Sequence, residues 1–267
     1  MIDTHCHLDV ERFDADRAPV LERAWAAGLE GLLVPGIGPD TWEALLEWPT
    51  RDPRVQVALG IHPQLLPELD PADDEEHLAR LSRLLERGQV VAIGECGLDG
   101  PSEAGAPMTR QVEVFRAHLE LARTHGLPVL VHCLRAHPHL ERLLKELPPL
   151  PAGLVLHSYS GSKELVKGYV KHGCRFSFAG PVTFAEARRP IEALRAVPEE
   201  LLLAETDAPD QAPAPHRGQR SEPAFLPLII DAMARARGCT TEHLRARTTQ
   251  NARALFTRWP PVEETRA

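Results

Sequence analysis

Short runs rich in Val, Leu and Ile recur along the chain, each ending near Gly, Pro or a polar residue. They cover Ile2–Leu8, Leu29–Pro35, Val55–His62, Gln89–Leu98, Leu127–Leu134, Gly153–Ser158, Cys174–Ala179 and Leu201–Asp207. Each is too short for a helix in a core of this size and reads as a buried parallel strand. Successive runs start 21 to 38 residues apart, close to the roughly 30 residues of one strand plus one crossover helix. Between the runs the period becomes helical. In Gln111–His125, Val114, Phe115, Leu119, Leu121 and Ala122 alternate with Arg116, His118, Glu120 and Arg123, and Gly126 stands at a helix-stop position. Similar patterns occupy Ala18–Ala27, Glu76–Glu86, His139–Leu147 and Ala185–Arg195, and two more, near Ala224–Arg237 and Thr241–Thr257, follow the last run.

Eight strands alternating with helices predict a closed (β/α)8 barrel, with a doubly wound open sheet as the alternative. No linker, solenoid repeat or low-complexity tract divides the chain, so residues 1–267 read as one domain. The proline-rich segment Ala208–Pro215 falls after the eighth run, where a barrel carries a functional loop. Gly100–Pro107 after the fourth reads as a lid or as a plain surface loop.

Composition narrows the class. With 43% hydrophobic and 25% charged residues, 267 residues make an ordinary globular protein. A net charge of −8 supplies no basic field for holding long nucleic acid non-specifically. No apolar run approaches the roughly 18 residues of a membrane span, and no basic region followed by an apolar stretch opens the chain. Secretion and membrane insertion are therefore not expected. Five cysteines, an odd number in a long chain, fit a reducing cytoplasm better than a disulfide framework. The 25 prolines, the sole asparagine Asn251 and only four lysines beside many arginines fit a thermophile, and equally a GC-rich genome.

Of 13 histidines, His5, His7, His62, His132 and His157 lie at or just beyond strand ends. The C-terminal strand ends of a barrel converge on one mouth, so these residues are expected to meet there. In IDTHCHLD, strand alternation puts His5 and His7 on one face and Cys6 on the other. Glu95 and Asp207 each follow a long apolar run, where a buried charge is costly without a partner or a metal. Gly94 and Gly97 leave room beside Glu95 for close approach. Four histidines and two carboxylates form a mixed nitrogen and oxygen set suited to Zn, Mn, Ni or Fe, and with added water to Mg. Six ligands exceed one open catalytic zinc site and suit two ions sharing a carboxylate and a water. Cys6, Cys96 and Cys133 each neighbour one of these residues and are expected to face the helix layer as small buried groups. Asp3 and Glu205 share parity with His5 and Asp207 and are candidates for orienting ligand imidazoles, or for bonding backbone.

In this order, DTHCHLD, GIHP, IGECGLD, LPVLVHC, LHSYSGS and LLLAETDAP resemble the TatD family of metal-dependent hydrolases, within the amidohydrolase superfamily of barrels. The likeness runs from Ile2 to about Phe256 and includes NARALF. It implies that His5, His7 and Asp207 hold one metal with Glu95, that Glu95 bridges, and that His132 and His157 hold the second. It also implies that Asp207 is the general base and that His62 lies near the substrate phosphate. The activity implied is 3′–5′ exonuclease action on DNA, with tRNA or small-substrate hydrolysis in some members.

Three positions depart from the family's usual pattern. Leu134 stands where an arginine is common, Ser221 opens the usual Asn-Glu-Pro, and Gly100 and Pro101 replace an aromatic pair. Arg217, in the loop after the eighth strand, is a candidate phosphate contact, or else a solvated loop arginine. The expected function is therefore metal-dependent phosphodiester hydrolysis at single-stranded nucleic-acid ends, or on a small phosphodiester, with two divalent ions (Zn, Mn or Mg). An amidohydrolase-type enzyme on a small amide, ester, lactone or nucleotide is the alternative, and a metal-free binding scaffold a third reading. Low aromatic content, 5%, and acidic charge favour small or single-stranded substrates over long duplex.

Overall fold

A computed structural model describes residues 1–102 and 104–260. Eight parallel strands form one sheet in chain order: β1 (Ile2–Asp3), β2 (Gly31–Gly36), β3 (Val55–Leu59), β4 (Ala92–Asp99), β5 (Val129–Leu134), β6 (Leu154–Leu156), β7 (Cys174–Phe178) and β8 (Leu202–Ala204). The ends meet through loop bonds rather than a ladder. Thr4 N–H donates to the Ala204 carbonyl at 3.2 Å and Asp207 N–H to that of His5 at 2.9 Å. The expected (β/α)8 barrel is the observed fold.

Helices cover the outside: α1 (Arg17–Ala26), α2 (Trp42–Leu45), α3 (Trp48–Arg51), α4 (Asp74–Leu85), α5 (Met108–His125), α6 (His137–Glu146), α7 (Lys163–Lys171), α8 (Arg188–Ala196), α9 (Leu226–Arg237) and α10 (Thr241–Leu255). Gly126 ends α5 in the left-handed conformation, φ +64°, as its place in the pattern requires. The two β2–β3 helices span four residues each and carry no readable period, and α7 was not apparent from the pattern.

Two apolar layers hold the barrel. The larger lies between strands and helices, with Leu32, Val34, Val57, Val131 and Phe176 against Phe115, Leu140 and Ile229. A smaller cluster joins Ile2, Leu33, Ala58, Ala92, Leu130, Val155 and Leu203 to Leu255, Phe256 and Trp259, the last turn of α10 and the segment beyond it. Every strand except β7 contributes to that inner layer, so α10 and Trp259 plug the end opposite the strand C-termini. Gly31 allows this: a Cβ there would lie 2.6 Å from the Trp259 ring.

β4 departs from regular pairing where chemistry is needed. Ile93 pairs with Val129 but Cys96 with Val131, so the strand holds one residue more than its partner. The extra residue turns Glu95 inward, although Ala92, three positions earlier, also faces the interior cluster. Gly94 (φ +126°) and Gly97 (φ +144°) take conformations that L side chains rarely adopt, and a Cβ on Gly97 would sit 2.1 Å from the His132 carbonyl. The close approach expected at these glycines is thus present.

Candidate metal centre at the barrel mouth

Glu95, 1% exposed, is the hub. Its Oε2 lies 3.0 Å from His5 Nε2 and 3.2 Å from His7 Nε2. Its Oε1 faces His157 Nε2 at 2.7 Å, and His62 Nε2 and His132 Nδ1 at 3.1 Å each. Asp207 Oδ1 stands 3.7 Å from His5 and 3.8 Å from His7, on the Oε2 side. One carboxylate therefore has separate imidazole groups on its two oxygens. The donor atoms of His5, His7 and Glu95 lie within 4.8 Å of one another, as do those of His62, Glu95 and His132, and those of His5, His157 and Glu205. His62, expected only beside substrate, thus stands among the donors.

A divalent cation suits this set. Glu95, Asp207 and Glu205 are buried, and among the described residues their ion-pair partners are all histidines, with no Lys or Arg. Burial works against charge on Glu95, yet His157, His62 and His5 hold its carboxyl well below the usual range. Burial likewise opposes the His7 imidazolium, but Glu95 and Asp207 raise it to about 9. Burial raises Asp207, against His157 and His5. The pocket thus favours positive charge at its centre, which neutral imidazoles and a cation provide without protonating ligands. Buried nitrogens without hydrogen-bond partners, Nδ1 of His5 and His7 among them, mark the same polar crowding.

Surrounding residues aim the rings. Glu205 accepts from Ser158 N–H and from Ser177 Oγ, each at 2.5 Å, and lies 3.6 Å from His157 Nδ1. Asp3 meets no ring, accepting instead from the backbone N–H of Thr206 at 3.0 Å and of His5 at 3.2 Å, and from the Thr206 hydroxyl at 2.6 Å. Of the two candidates for orienting imidazoles, Glu205 approaches a ring and Asp3 fixes the chain carrying His5. Asp99, which sequence reasoning missed, lies 3.6 Å from His132 Nε2 and accepts from Gln64 Nε2 at 2.5 Å. Gln211 was also missed. Its amide donates to Asp207 Oδ2 and its oxygen accepts from Ser158 Oγ at 2.8 Å. Both sit four residues after a ligand-type carboxylate, the one signal that could have found them.

Cys6 and Cys96 pack in the outer apolar layer as expected. Cys133 also turns to the helix layer, packing against the outer cluster with Sγ 3.4 Å from His137 Nδ1 on α6, but it is only half-buried and borders the cavity at the mouth. Arg217 is not brought to the site. Its guanidinium pairs with Glu186 and lies 4.2 Å over the Phe184 ring, outside the cavity wall. Competing partners of opposite charge and π surface within its own loop region hold it there. Ser221 is buried, with its N–H donating to the Pro209 carbonyl at 2.9 Å, while Glu222 binds Arg23 with both oxygens. Leu134 is exposed at the cavity rim.

Comparison with known proteins agrees with this geometry. The family model described as TatD related DNase matches residues 2–257. The chain is 36% identical to the uncharacterized metal-dependent hydrolase YabD of Bacillus subtilis, covering 96% of this chain and 98% of that one. It is also 36% identical to the 3′-5′ ssDNA/RNA exonuclease TatD of Salmonella typhimurium, over 96% and 98% of the two chains. The crystal structure of YJJV, a TatD homologue from Escherichia coli K12, superposes with a TM-score of 0.89 at 30% identity, covering 96% and 98%. A buried carboxylate between two imidazole groups, on this barrel and with these relatives, makes the chain a member of the TatD-related DNase family of metal-dependent hydrolases.

Proposed function

We propose that the chain, acting as one catalytic domain over 1–267, is a divalent-metal-dependent phosphodiesterase that removes nucleotides from the 3′ ends of single-stranded nucleic acid. The observation that carries this is Glu95, whose two oxygens serve different imidazole groups. His5, His7 and Asp207 would hold one ion with Glu95, and His132 and His157 the other, with Glu95 shared; Zn, Mn and Mg are the candidates. When bound, such ions polarise the phosphoryl oxygen and lower the pKa of water from about 15.7 towards 7.

The chain's own groups do the rest. Asp207 takes the proton of the attacking water at Oδ2, which Gln211 steadies by one hydrogen bond while a second lone pair stays free. His62 lines the cavity beside the place the phosphate would take, with Nε2 on Glu95 Oε1 and Nδ1 accepting from Gln64 N–H. Glu205 and Asp99 keep His157 and His132 oriented.

The test is hydrolysis of 3′-labelled single-stranded DNA with Mn, Mg or Zn, beside Asp207→Asn and metal-stripped protein. Stepwise 3′ shortening that vanishes in both controls is the expected result. No cleavage by protein holding two metals would move the assignment to a small amide, ester, lactone or nucleotide.

A further inference from the structure

Above the metal centre lies a cavity of about 590 Å³, within the ~300–1,000 Å³ usual for small-molecule sites. Its walls differ in chemistry. The floor carries the donors just described. The side built beyond β6 and β7 is apolar, lined by Tyr159, Phe178, Ala179, Pro181, Val182 and Pro190, and Leu134 stands 37% exposed on the rim.

Among the described residues, Arg12 is the one Lys or Arg in the cavity wall. It already donates to Asp210 at 2.7 Å and to the Pro209 carbonyl at 3.3 Å. Arg135 lies 3.7 Å from Asp99, Arg217 pairs with Glu186, and Arg220 pairs with Asp16. A protein that follows a strand neutralises successive phosphates with free cations and stacks successive bases on exposed rings. Here the one arginine of the wall and Arg135, Arg217 and Arg220 face carboxylates, and the two six-membered aromatic rings in the wall, Tyr159 and Phe178, are 3% and 1% exposed. They offer one apolar face for a single flat group, with no row of platforms.

We propose that this site engages one phosphodiester and the single nucleoside beside it, and nothing further along the strand, so that a dinucleotide is as good a substrate as a long oligonucleotide. The proposal rests on the phosphodiesterase reading above. Each turnover adds one water across one P–O bond. The new P–O bond forms on the phosphorus, the P–O bond to the 3′ oxygen of the penultimate nucleoside breaks, and that oxygen takes up a proton. A 5′-mononucleotide and a strand one unit shorter with a free 3′ hydroxyl leave, and the strand must rebind for the next cut.

The test uses the full chain with Mn, Mg or Zn and single-stranded oligodeoxythymidylates of 2, 4, 8 and 16 units. Expected are values of kcat/KM within about threefold across the series, and a log–log dependence on KCl no steeper than about −0.7, the slope for one phosphate contact on a single strand. A second readout needs no metal. Fluorescence anisotropy of EDTA-treated protein with fluorescein-labelled 2-mer and 16-mer should show no preference for the longer strand beyond about threefold. Leu134→Arg, a change at an exposed rim position, should add a phosphate contact, favouring the 16-mer and steepening the slope by about 0.7. Wild-type kcat/KM rising tenfold or more with length, or 16-mer binding tenfold tighter in metal-free protein, overturns the proposal and leaves the phosphodiesterase reading standing. Failure to cut any member of the series in any metal removes the phosphodiesterase reading itself, and the proposal with it.

Discussion

Glu205 shows how much of the site depends on residues that need not touch a ligand. Burial opposes its charge, but His157 and His5 beside it keep its carboxyl below the usual range. It accepts two short hydrogen bonds, from Ser158 and Ser177, and faces His157 Nδ1. Glu205→Gln preserves the shape and removes the charge that favours one imidazole tautomer. We expect metal affinity, read by competition with a chromogenic chelator, to fall about 10–100-fold. Unchanged affinity would make Glu205 a backbone anchor only. His118 is a second such residue. On α5 it donates from Nδ1 to the Val114 carbonyl at 2.8 Å and accepts at Nε2 from Ile61 N–H at 3.0 Å, pinning the loop that carries His62. Burial lowers its pKa to about 4. The unfolded chain therefore binds a proton below about 6.5 that the folded chain refuses until about 4, so stability is present above pH 6.5 and lost as pH falls through that window. The loss from this group is about 3 kcal/mol. The urea stability of wild type minus that of His118→Gln, followed from pH 7 to 4, should fall by that order. A flat difference would show that His118 takes up its proton as readily in the fold as in the unfolded chain.

At the level of elements, β4 carries the centre because it is irregular. The bulge that turns Glu95 inward needs backbone conformations for which Gly94 and Gly97 are suited. Gly97→Ala should cost at least about 2 kcal/mol, because strain at φ +144° is joined by a clash with His132 backbone that cannot move without moving a ligand. Gly88→Ala is the control. It also has positive φ, +72°, but nothing lies within 4 Å of the added carbon, so the cost should be about 1 kcal/mol and metal binding should not change. Equal shifts in urea midpoint for the two variants would show that the close approach at Gly97 carries no energy. Strands were legible because each is an apolar run, and their order follows from the spacing. Their ends were not. His5, His62, His157 and Asp207 lie beyond the ladders of β1, β3, β6 and β8. Those four were found through residue type at run ends, whereas Asp99, Gln64 and Gln211 take their partners from tertiary approach. Arg217 shows the converse, a plausible type in a plausible loop whose guanidinium local partners already hold.

The whole molecule separates stability from chemistry along the barrel axis. Inward residues of seven strands form the lower core, and α10, Phe256 and Trp259 close it at the end away from the ligand-bearing strand termini. No helix among the described residues is long and apolar enough to cross a membrane. Trp259 is 5% exposed and sits against Gly31 on β2. Trp259→Ala leaves a cavity that the strand ends cannot collapse into, because their pairing fixes them. The cost should be about 3–5 kcal/mol, which for a chain of this size lowers Tm by roughly 5–10 °C. Metal affinity at the mouth should stay within about threefold of wild type, because barrels of this kind place catalytic groups at the strand C-termini and stabilising ones at the other end. Calorimetry and chelator competition on the same preparation separate the two effects. If Tm and metal affinity fall together, the inner cluster transmits packing from the plug to the ligands. The carriers would then be Leu130 and Val155, which stand two residues below His132 and His157 along the chain.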